Sequence, residues 1–236
     1  MQDFSTTFEN SAANALPADR AKFIRRTYLL LAAAILAFIA VEAFLFATGA
    51  ADLIASVIFG GGAIGWLLVL GLFMGVSFLA DRWATSETST VVQYLGLGIF
   101  IVAEAIIFVP LIWVSSYYSG DVAVLAKAGI VSLGLFLGIT ATVFITRSDF
   151  SFLRPILAIG GFAALGLIVA SSLFGFTLGN LFAFAMVAFA GTAILYETSN
   201  VLHRFNTNQH VAAALTLFAS VALLFWYILR IFSSRD

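Results

Sequence analysis

The amino-acid sequence predicts an all-α integral membrane protein, a bundle of seven transmembrane helices. Of its 236 residues, 62% are hydrophobic and 10% are charged, whereas a soluble domain carries about 25% charged residues. With a mean hydropathy of +1.09, the chain has too few polar residues to cover a water-facing surface. Seven apolar runs of about 20 residues fit this length and leave room only for short tails and loops. A large soluble catalytic domain is excluded, and we expect no enzyme.

The seven runs are helices and not barrel strands, because they are continuously apolar and do not alternate on a period of two. We expect a polar N-terminal tail over residues 1–28, the seven-helix domain over residues 29–232, and a C-terminal tail over residues 233–236. The predicted spans are Leu29–Thr48, Ile54 or Ala63 to Ala80, Val91–Trp113, Val122–Ile145, Leu153–Leu173, Leu181–Leu202 and Val211–Phe232.

Several features of these runs define their ends and packing. The first run is too long for a secretory signal, whose apolar core has about 7–15 residues, so it stays as a span. The connections over residues 49–53 and 174–180 lack Lys and Arg and are expected to be outer loops. Two GxxxG spacings predict close helix packing inside the bundle. They are Gly71/Gly75 and Gly134/Gly138.

Basic residues near the span ends predict a cytoplasmic N-terminus, because Lys and Arg collect on the cytoplasmic side. That orientation puts most of them inside, namely Arg20, Lys22, Arg25, Arg26, Arg82, Arg147, Arg154 and Arg204. Lys127, Arg230 and Arg235 fall outside. A re-entrant last segment, which would keep Arg230 and Arg235 cytoplasmic, is the alternative.

Charge and motif content limit the partners and cofactors. The 11 Lys and Arg balance 12 Asp and Glu, which leaves no basic field for nucleic acid. The chain has no cysteine, so disulfides and thiolate metal sites are excluded. It also has no HExxH or P-loop motif, and its last run has no lysine that could hold retinal. We expect the lipid bilayer as a partner and no bound cofactor; the oligomeric state stays open.

Glu104 is the deepest ionisable residue, about 20 Å from Val91 and about 14 Å from Trp113 at about 1.5 Å per residue. A charge at this depth costs about 2.5–3.5 kcal/mol on insertion scales. Two interpretations are open. Glu104 is either a protonated glutamate that hydrogen-bonds to a neighbouring helix, or a group that handles protons or cations in a polar cavity.

Other polar groups accompany Glu104 at different depths. Glu197 lies about 9 Å inside the cytoplasmic boundary, where it either lines a path or caps its span. Ser220 lies on a polar stripe of the last run, a pattern that usually joins helices. Glu42 and Lys127 lie nearer the outer side, where they can pair or Lys127 can reach Glu104 or the surface. Ordered from the cytoplasm, the groups are Arg82, Glu197, Ser220, Glu104, and then Glu42 with Lys127. Such an order predicts a proton or cation path.

Residues 195–203 read Leu-Tyr-Glu-Thr-Ser-Asn-Val-Leu-His, which resembles the L-Y-D-T-x-x-[IV]-[IL]-H signature of the Bax inhibitor-1 family, in its bacterial YccA-like branch. The segments Phe23–Tyr28, Glu104–Pro110 and Leu229–Phe232 resemble further family segments. The resemblance runs from about residue 23 to the end. It implies a seven-helix protein of the bacterial inner membrane in which an acidic pair senses pH and gates a calcium leak.

Carried over by position, the resemblance places Glu197 at the first acid of the pair and Ser220 at the second. A serine does not titrate, so one acid of the coupled pair is lost. Arg82 takes the place of a basic latch and His203 that of the motif histidine, while Arg204 lies too far from Glu197 for direct contact without snorkelling. Any calcium site at Glu197 would be weak, because one carboxylate offers one or two of the about 6–8 oxygens that calcium takes.

Two functions follow from these observations and the resemblance. The first is a pH-sensitive leak for calcium, other cations or protons through Glu197, Glu104 and Arg82. The second is a non-transporting modulator of a membrane complex such as a membrane-anchored AAA protease, which the lost acid at Ser220 favours.

Overall fold

The computed structural model describes residues 11–86, 89–119 and 123–234. Residues 1–10 of the expected N-terminal tail and residues 235–236 of the expected C-terminal tail, with Arg235, lie outside this part of the chain. The described residues contain eight helices and no strand. They are α1 Pro17–Ala47, α2 Ala50–Gly60, α3 Gly62–Ala84, α4 Thr90–Ser119, α5 Ala123–Thr146, α6 Leu153–Phe174, α7 Gly179–His203 and α8 His210–Ser233.

Seven of these helices are long and apolar enough to cross a membrane, which confirms the predicted seven-span bundle. The remaining one, α2, has 11 residues and is too short to cross a membrane. It occupies the first connection, so the loop expected over residues 49–53 is mostly helical.

A run of three glycines, Gly60, Gly61 and Gly62, interrupts the helix between α2 and α3. Gly62 has a φ of 57°, a left-handed conformation that glycine adopts without the strain that a Cβ would cause. The second span therefore begins at Gly62, and the alternative start at Ile54 is wrong.

The first helix begins earlier than its apolar run. Pro17 lies in its first turn, where the missing N–H is no loss and the fixed φ suits a helix. Part of the segment expected as a polar tail, from Pro17 onward, therefore extends α1.

Hydrogen bonds between helix ends define two faces of the bundle. The proximal face is the one on which α1 begins. There Arg20 Nη2 donates to the Leu202 carbonyl oxygen at 3.4 Å, at the end of α7. Tyr94 Oη lies 3.3 Å from His210 Nε2, which joins the starts of α4 and α8.

The distal face is the opposite end of the bundle. Ser233 Oγ donates to Ser115 Oγ at 2.8 Å, which joins the ends of α8 and α4. Ser234 Oγ donates to Asn180 Oδ1 at 2.8 Å, beside the start of α7. Since α8 begins on the proximal face and ends on the distal face, it crosses the whole bundle, and the re-entrant alternative for the last segment is wrong.

Helix α8 lies at the centre of the bundle and packs against α1, α3, α4, α5 and α7. Helix α6 is peripheral and packs against α3 and α7. The centre is aromatic: Phe38 of α1 lies 5.1 Å from Phe108 of α4 and 6.1 Å from Phe218 of α8, centroid to centroid. Rings that meet edge to face in this way are favourable beyond the area that they bury.

The close helix contact in the bundle is at Gly96, between α3 and α4. A Cβ atom at Gly96 would lie 2.7 Å from the Ala80 carbonyl oxygen, which only glycine avoids. The glycines of the two GxxxG spacings behave differently, because a Cβ atom on any of the four would meet no neighbouring helix within 4 Å. The prediction that Gly71/Gly75 and Gly134/Gly138 pack helices together inside this chain is therefore wrong.

Candidate functional site

A cavity of about 530 Å³ lies inside the bundle, between α3, α4, α6, α7 and α8. Most of its wall is apolar and aromatic. Its polar lining side chains are Ser77, Asp81, Glu104, Glu197, Thr216 and Ser220. Three of the four residues predicted from the sequence to sense pH or conduct ions thus line this one cavity, namely Glu104, Glu197 and Ser220.

Glu104 lies at the middle of α4 and is 7% exposed. Its carboxylate faces the cavity, and it makes no hydrogen bond or ion pair within the described part of the chain. The first of the two interpretations, in which Glu104 hydrogen-bonds to a neighbouring helix, is therefore not what the structure shows. A buried acid without a partner is costly unless something in the cavity compensates its charge.

Glu197 lies on α7, two turns before the proximal end of that helix, and is half-buried. Asn200 Nδ2 donates to Glu197 Oε2 at 3.2 Å. The hydroxyl group of Thr216, from α8, and the carboxylate of Asp81, from α3, also act on the Glu197 carboxylate. Glu197 therefore accepts a hydrogen bond from its own helix and lies near polar groups of two others.

Ser220 is 8% exposed and lines the same cavity from α8. Its hydroxyl donates to the Thr216 carbonyl oxygen at 3.0 Å, a bond to the preceding turn of its own helix. Ser220 thus adds a hydroxyl group to the wall but no titratable group.

Asp81 is the ionisable lining residue to which sequence reasoning assigned no role. It is exposed near the proximal end of α3 and still lines the cavity. Arg82, the expected latch, is exposed and does not line it. Adjacent helical residues point about 100° apart, so a shift of one position exchanges an acid for a base at the site.

Helical spacing could have found Asp81. The cavity-lining residues of α3 follow one another every three or four positions, as one helix face does. They are Trp66, Leu70, Phe73, Ser77 and Asp81. Arg82 does not fit that series.

Helix α7 ends at His203 on the proximal face, and Arg204 follows it. Both residues lie outside the cavity. The α5–α6 connection docks beside them, where the Phe150 N–H donates to Ser199 Oγ at 2.9 Å. In that connection the Ser151 N–H donates to Asp149 Oδ1 at 2.9 Å. This bond, helped by the nearby charges of Arg204 and His203, lowers the pKa of Asp149.

Glu42 and Lys127 do not form the pair that the sequence suggested. Glu42 is 7% exposed on α1, and neither of its carboxylate oxygens has a hydrogen-bond partner. Lys127 is exposed on α5, and neither residue lines the cavity. The alternative contact of Lys127 with Glu104 is also not formed, since Glu104 makes no ion pair within the described ranges.

A metal-ion site is not assembled in the described ranges, which hold no group of three or more His, Cys, Asp or Glu suited to bind a metal ion. Calcium takes about 6–8 oxygen ligands. A calcium ion beside Glu197 would therefore keep most of its water.

Comparisons with known proteins agree with the residues that carry the resemblance. A family model described as inhibitor of apoptosis-promoting Bax1 matches residues 20–236. The chain is 30% identical over 221 residues to the modulator of FtsH protease YccA of Escherichia coli, covering 91% of this chain and 92% of that protein. The inner membrane protein YccA of a second Escherichia coli strain matches with the same identity and coverage. A Golgi anti-apoptotic protein of vaccinia virus is 30% identical over 117 residues, 47% of each chain. No solved structure matches the chain.

Proposed function

The chain belongs to the Bax inhibitor-1 family, and from that premise we propose that it is a pH-sensitive leak pathway for cations in the bacterial inner membrane. In this proposal the protein has no catalytic activity, and the proximal face lies on the cytoplasmic side. Protons and hydrated cations, calcium included, are the transported species.

One observation carries this proposal: Glu104 and Glu197 open into the same cavity. Ionisable groups at membrane depth that face a common enclosed space are typical of proton and ion paths. Had either acid faced lipid, no continuous path would link them.

The depths of the polar groups also support a path. Asp81 lies nearest the proximal face, Glu197 is about 9 Å from the end of its helix, and Ser220 is about 15 Å from the start of α8. Glu104 follows, about 21 Å from the start of α4. Successive groups differ in depth by about 6 Å. This spacing suits transfer through water or as a hydrated ion, in agreement with the lack of a metal-binding group among the described residues.

The test is flux through proteoliposomes that contain the full chain. Glu104→Gln and Glu197→Gln remove an acid from the cavity with almost no change of shape, and each should remove most of the proton and cation flux. Glu42→Gln is the matched control, because Glu42 is as buried as Glu104 but lies outside the cavity. Unchanged flux in Glu104→Gln, or an equal loss in Glu42→Gln, would overturn the proposal.

A second candidate function is favoured by a specific observation, the match over 91% of the chain to a protein named as a modulator of FtsH protease. We propose as the alternative that this chain binds and restrains a membrane-anchored AAA protease without transport.

The N-terminal segment suits such a role. The Ala12 N–H donates to the Phe205 carbonyl oxygen at 2.9 Å, Ser11 pairs with Asn206, and Ala12 is fully buried. This contact anchors the segment to the α7–α8 connection on the proximal face. A partner that bound the N-terminus would therefore be held close to the end of the site helix α7.

Deleting residues 2–10 tests the alternative while keeping the Ala12 contact. A protease modulator that acts through its tail should lose its effect on the degradation of a membrane substrate in co-reconstituted vesicles, and neither the parent nor the deletion variant should conduct cations. Retained modulation after the deletion would contradict a role of the tail.

A further inference from the structure

We propose that the cavity binds lipophilic organic cations, meaning molecules with an aromatic or branched apolar body and one ammonium group. This inference uses the cavity of the proposed leak pathway, but it does not require that anything be conducted.

The size and wall of the cavity fit an organic molecule better than a metal ion. Its volume of about 530 Å³ lies within the range of about 300–1,000 Å³ typical of small-molecule sites, which are mostly apolar with a few placed polar groups. Much of the wall consists of large rings, from Trp66, Phe73, Phe100, Phe108, Trp226 and Tyr227. The carbon faces of these rings offer a hydrated metal ion no ligands, which leaves only the few polar side chains of the wall to bind one.

The lining rings form two groups on three helices. Trp66 of α3 and Trp226 of α8 are stacked, with centroids 6.4 Å apart. Phe108 of α4 meets Trp226 edge to face at 4.9 Å. On the proximal side of these rings, Phe73 lies 6.1 Å from Phe100. An ammonium group within about 6 Å of a ring centroid is attracted by the ring, more strongly where water is excluded.

Glu104 provides the complementary charge. It lies one helical turn from Phe100 on one side and one turn from Phe108 on the other, and all three line the cavity. Its carboxylate is 7% exposed and makes no hydrogen bond or ion pair within the described residues. Thus an acid that is nine-tenths buried faces an aromatic space with nothing to neutralise it.

The other charged groups of the wall have the same sign. Asp81 and Glu197 line its proximal end, and no Lys, Arg or His is among the described lining residues. A cation entering the cavity therefore meets attraction from each charged group. A neutral molecule of the same shape gains the apolar contacts but leaves the acids uncompensated.

Helix α6 gives such a molecule a route from the membrane. It contributes only Ile168 to the described lining and packs against α3 and α7 at the edge of the bundle. A lipophilic cation that partitions into the bilayer would enter beside this peripheral helix, without crossing the polar proximal end.

The experiment is equilibrium binding of radiolabelled benzyltrimethylammonium to the purified full chain in detergent, with neopentylbenzene as the neutral isostere. We expect saturable binding of one cation per chain and weak competition by neopentylbenzene. Glu104→Gln should weaken binding about tenfold or more. Glu104→Asp, which keeps the charge, should restore much of it. Phe100→Leu should weaken binding by a smaller factor, and Glu42→Gln should leave it unchanged.

Three results would overturn the inference: no saturable binding, equal competition by the neutral isostere, or equal affinity in Glu104→Gln. The outcome is separable from that of the leak proposal, because binding in detergent needs no flux. If flux depends on Glu104 but the organic cation does not bind, this inference alone is overturned. If the organic cation binds but no flux is measured, the leak proposal alone is overturned.

Discussion

Asp81 of α3 and Glu197 of α7 line the same cavity, so two acids from different helices face one space. The resemblance places the acidic pair on the sixth and seventh spans, where this chain has Ser220 in the second position. The structure brings an acid from the second span to the wall of the cavity that Glu197 also lines. Two acids that interact strongly bind protons as a coupled pair and not independently.

Asp81→Asn should make the cation flux less dependent on pH, because it removes one member of this pair while keeping the shape of the side chain. The measurement is flux through proteoliposomes across a pH series. Arg82→Gln is the control, since Arg82 is the next residue but does not line the cavity. A pH profile that changes with Arg82→Gln and not with Asp81→Asn would restore the latch expected from the sequence.

Ser220→Asp should increase acid-sensitive flux and lower stability. Ser220 is 8% exposed, so the variant adds a carboxylate to an already acidic cavity and breaks the bond from Ser220 Oγ to the Thr216 carbonyl oxygen. Burying an unpaired charge is destabilising. Flux across pH and the thermal midpoint in detergent are the two measurements. Ser220→Asn has the same shape and cannot titrate, so a rise in flux in both variants would contradict a role of the charge.

The spans could be predicted from the sequence because hydrophobicity over about 20 residues is a local property. The residues that line the cavity could be predicted only in part. The depth of a residue in the membrane follows from counting residues along its helix. This count is enough to predict that Glu104 and Glu197 are acids at membrane depth. Which face a residue occupies depends on packing, and Asp81 and Arg82 differ in face but hardly in depth. The GxxxG spacings illustrate the same limit, because Gly71 and Gly75 have the spacing of a helix contact but face no other helix of this chain.

Arg147→Gly should stabilise the protein by about 0.5–1 kcal/mol. Arg147 follows the last turn of α5 with a φ of 52°, and its N–H donates to the Val143 carbonyl oxygen at 2.8 Å. This is the left-handed end of a helix, a position that glycine prefers. The thermal midpoint in detergent measures the gain. Ser148→Gly serves as the comparison, because its φ is not positive, and an equal gain there would assign the effect to chain flexibility.

Asp149 should stabilise the folded state at neutral pH and not at strongly acid pH. The Ser151 N–H, with the charges of Arg204 and His203, lowers the pKa of Asp149 in the folded chain. A group whose folded pKa is lowered contributes stability above its unfolded pKa and loses it as the pH falls through the folded value. Asp149→Asn should therefore be slightly less stable than the parent at neutral pH, by an amount that shrinks on acidification. Denaturant unfolding in detergent at several pH values measures this difference, and a gap that widens in acid would contradict the prediction.

Gly96→Ala should destabilise the bundle by about 1–3 kcal/mol, as over-packing does. A Cβ atom there would lie 2.7 Å from the Ala80 carbonyl oxygen and 2.9 Å from the Ala84 backbone nitrogen. Backbone atoms cannot rotate away as a side chain does, so α3 and α4 must separate. Because Asp81 directly follows Ala80, this separation should also displace Asp81 from the cavity and weaken the pH dependence of flux.

Gly98→Ala is the matched control for this effect. Gly98 lies two residues further along α4, where a Cβ atom would meet no neighbouring helix within 4 Å. We expect its stability to stay within about 0.5 kcal/mol of the parent and its flux to be unchanged. Equal thermal midpoints for the two alanine variants would show that α3 and α4 are not in close contact at Gly96. The position of Asp81 would then need a cause other than this close approach.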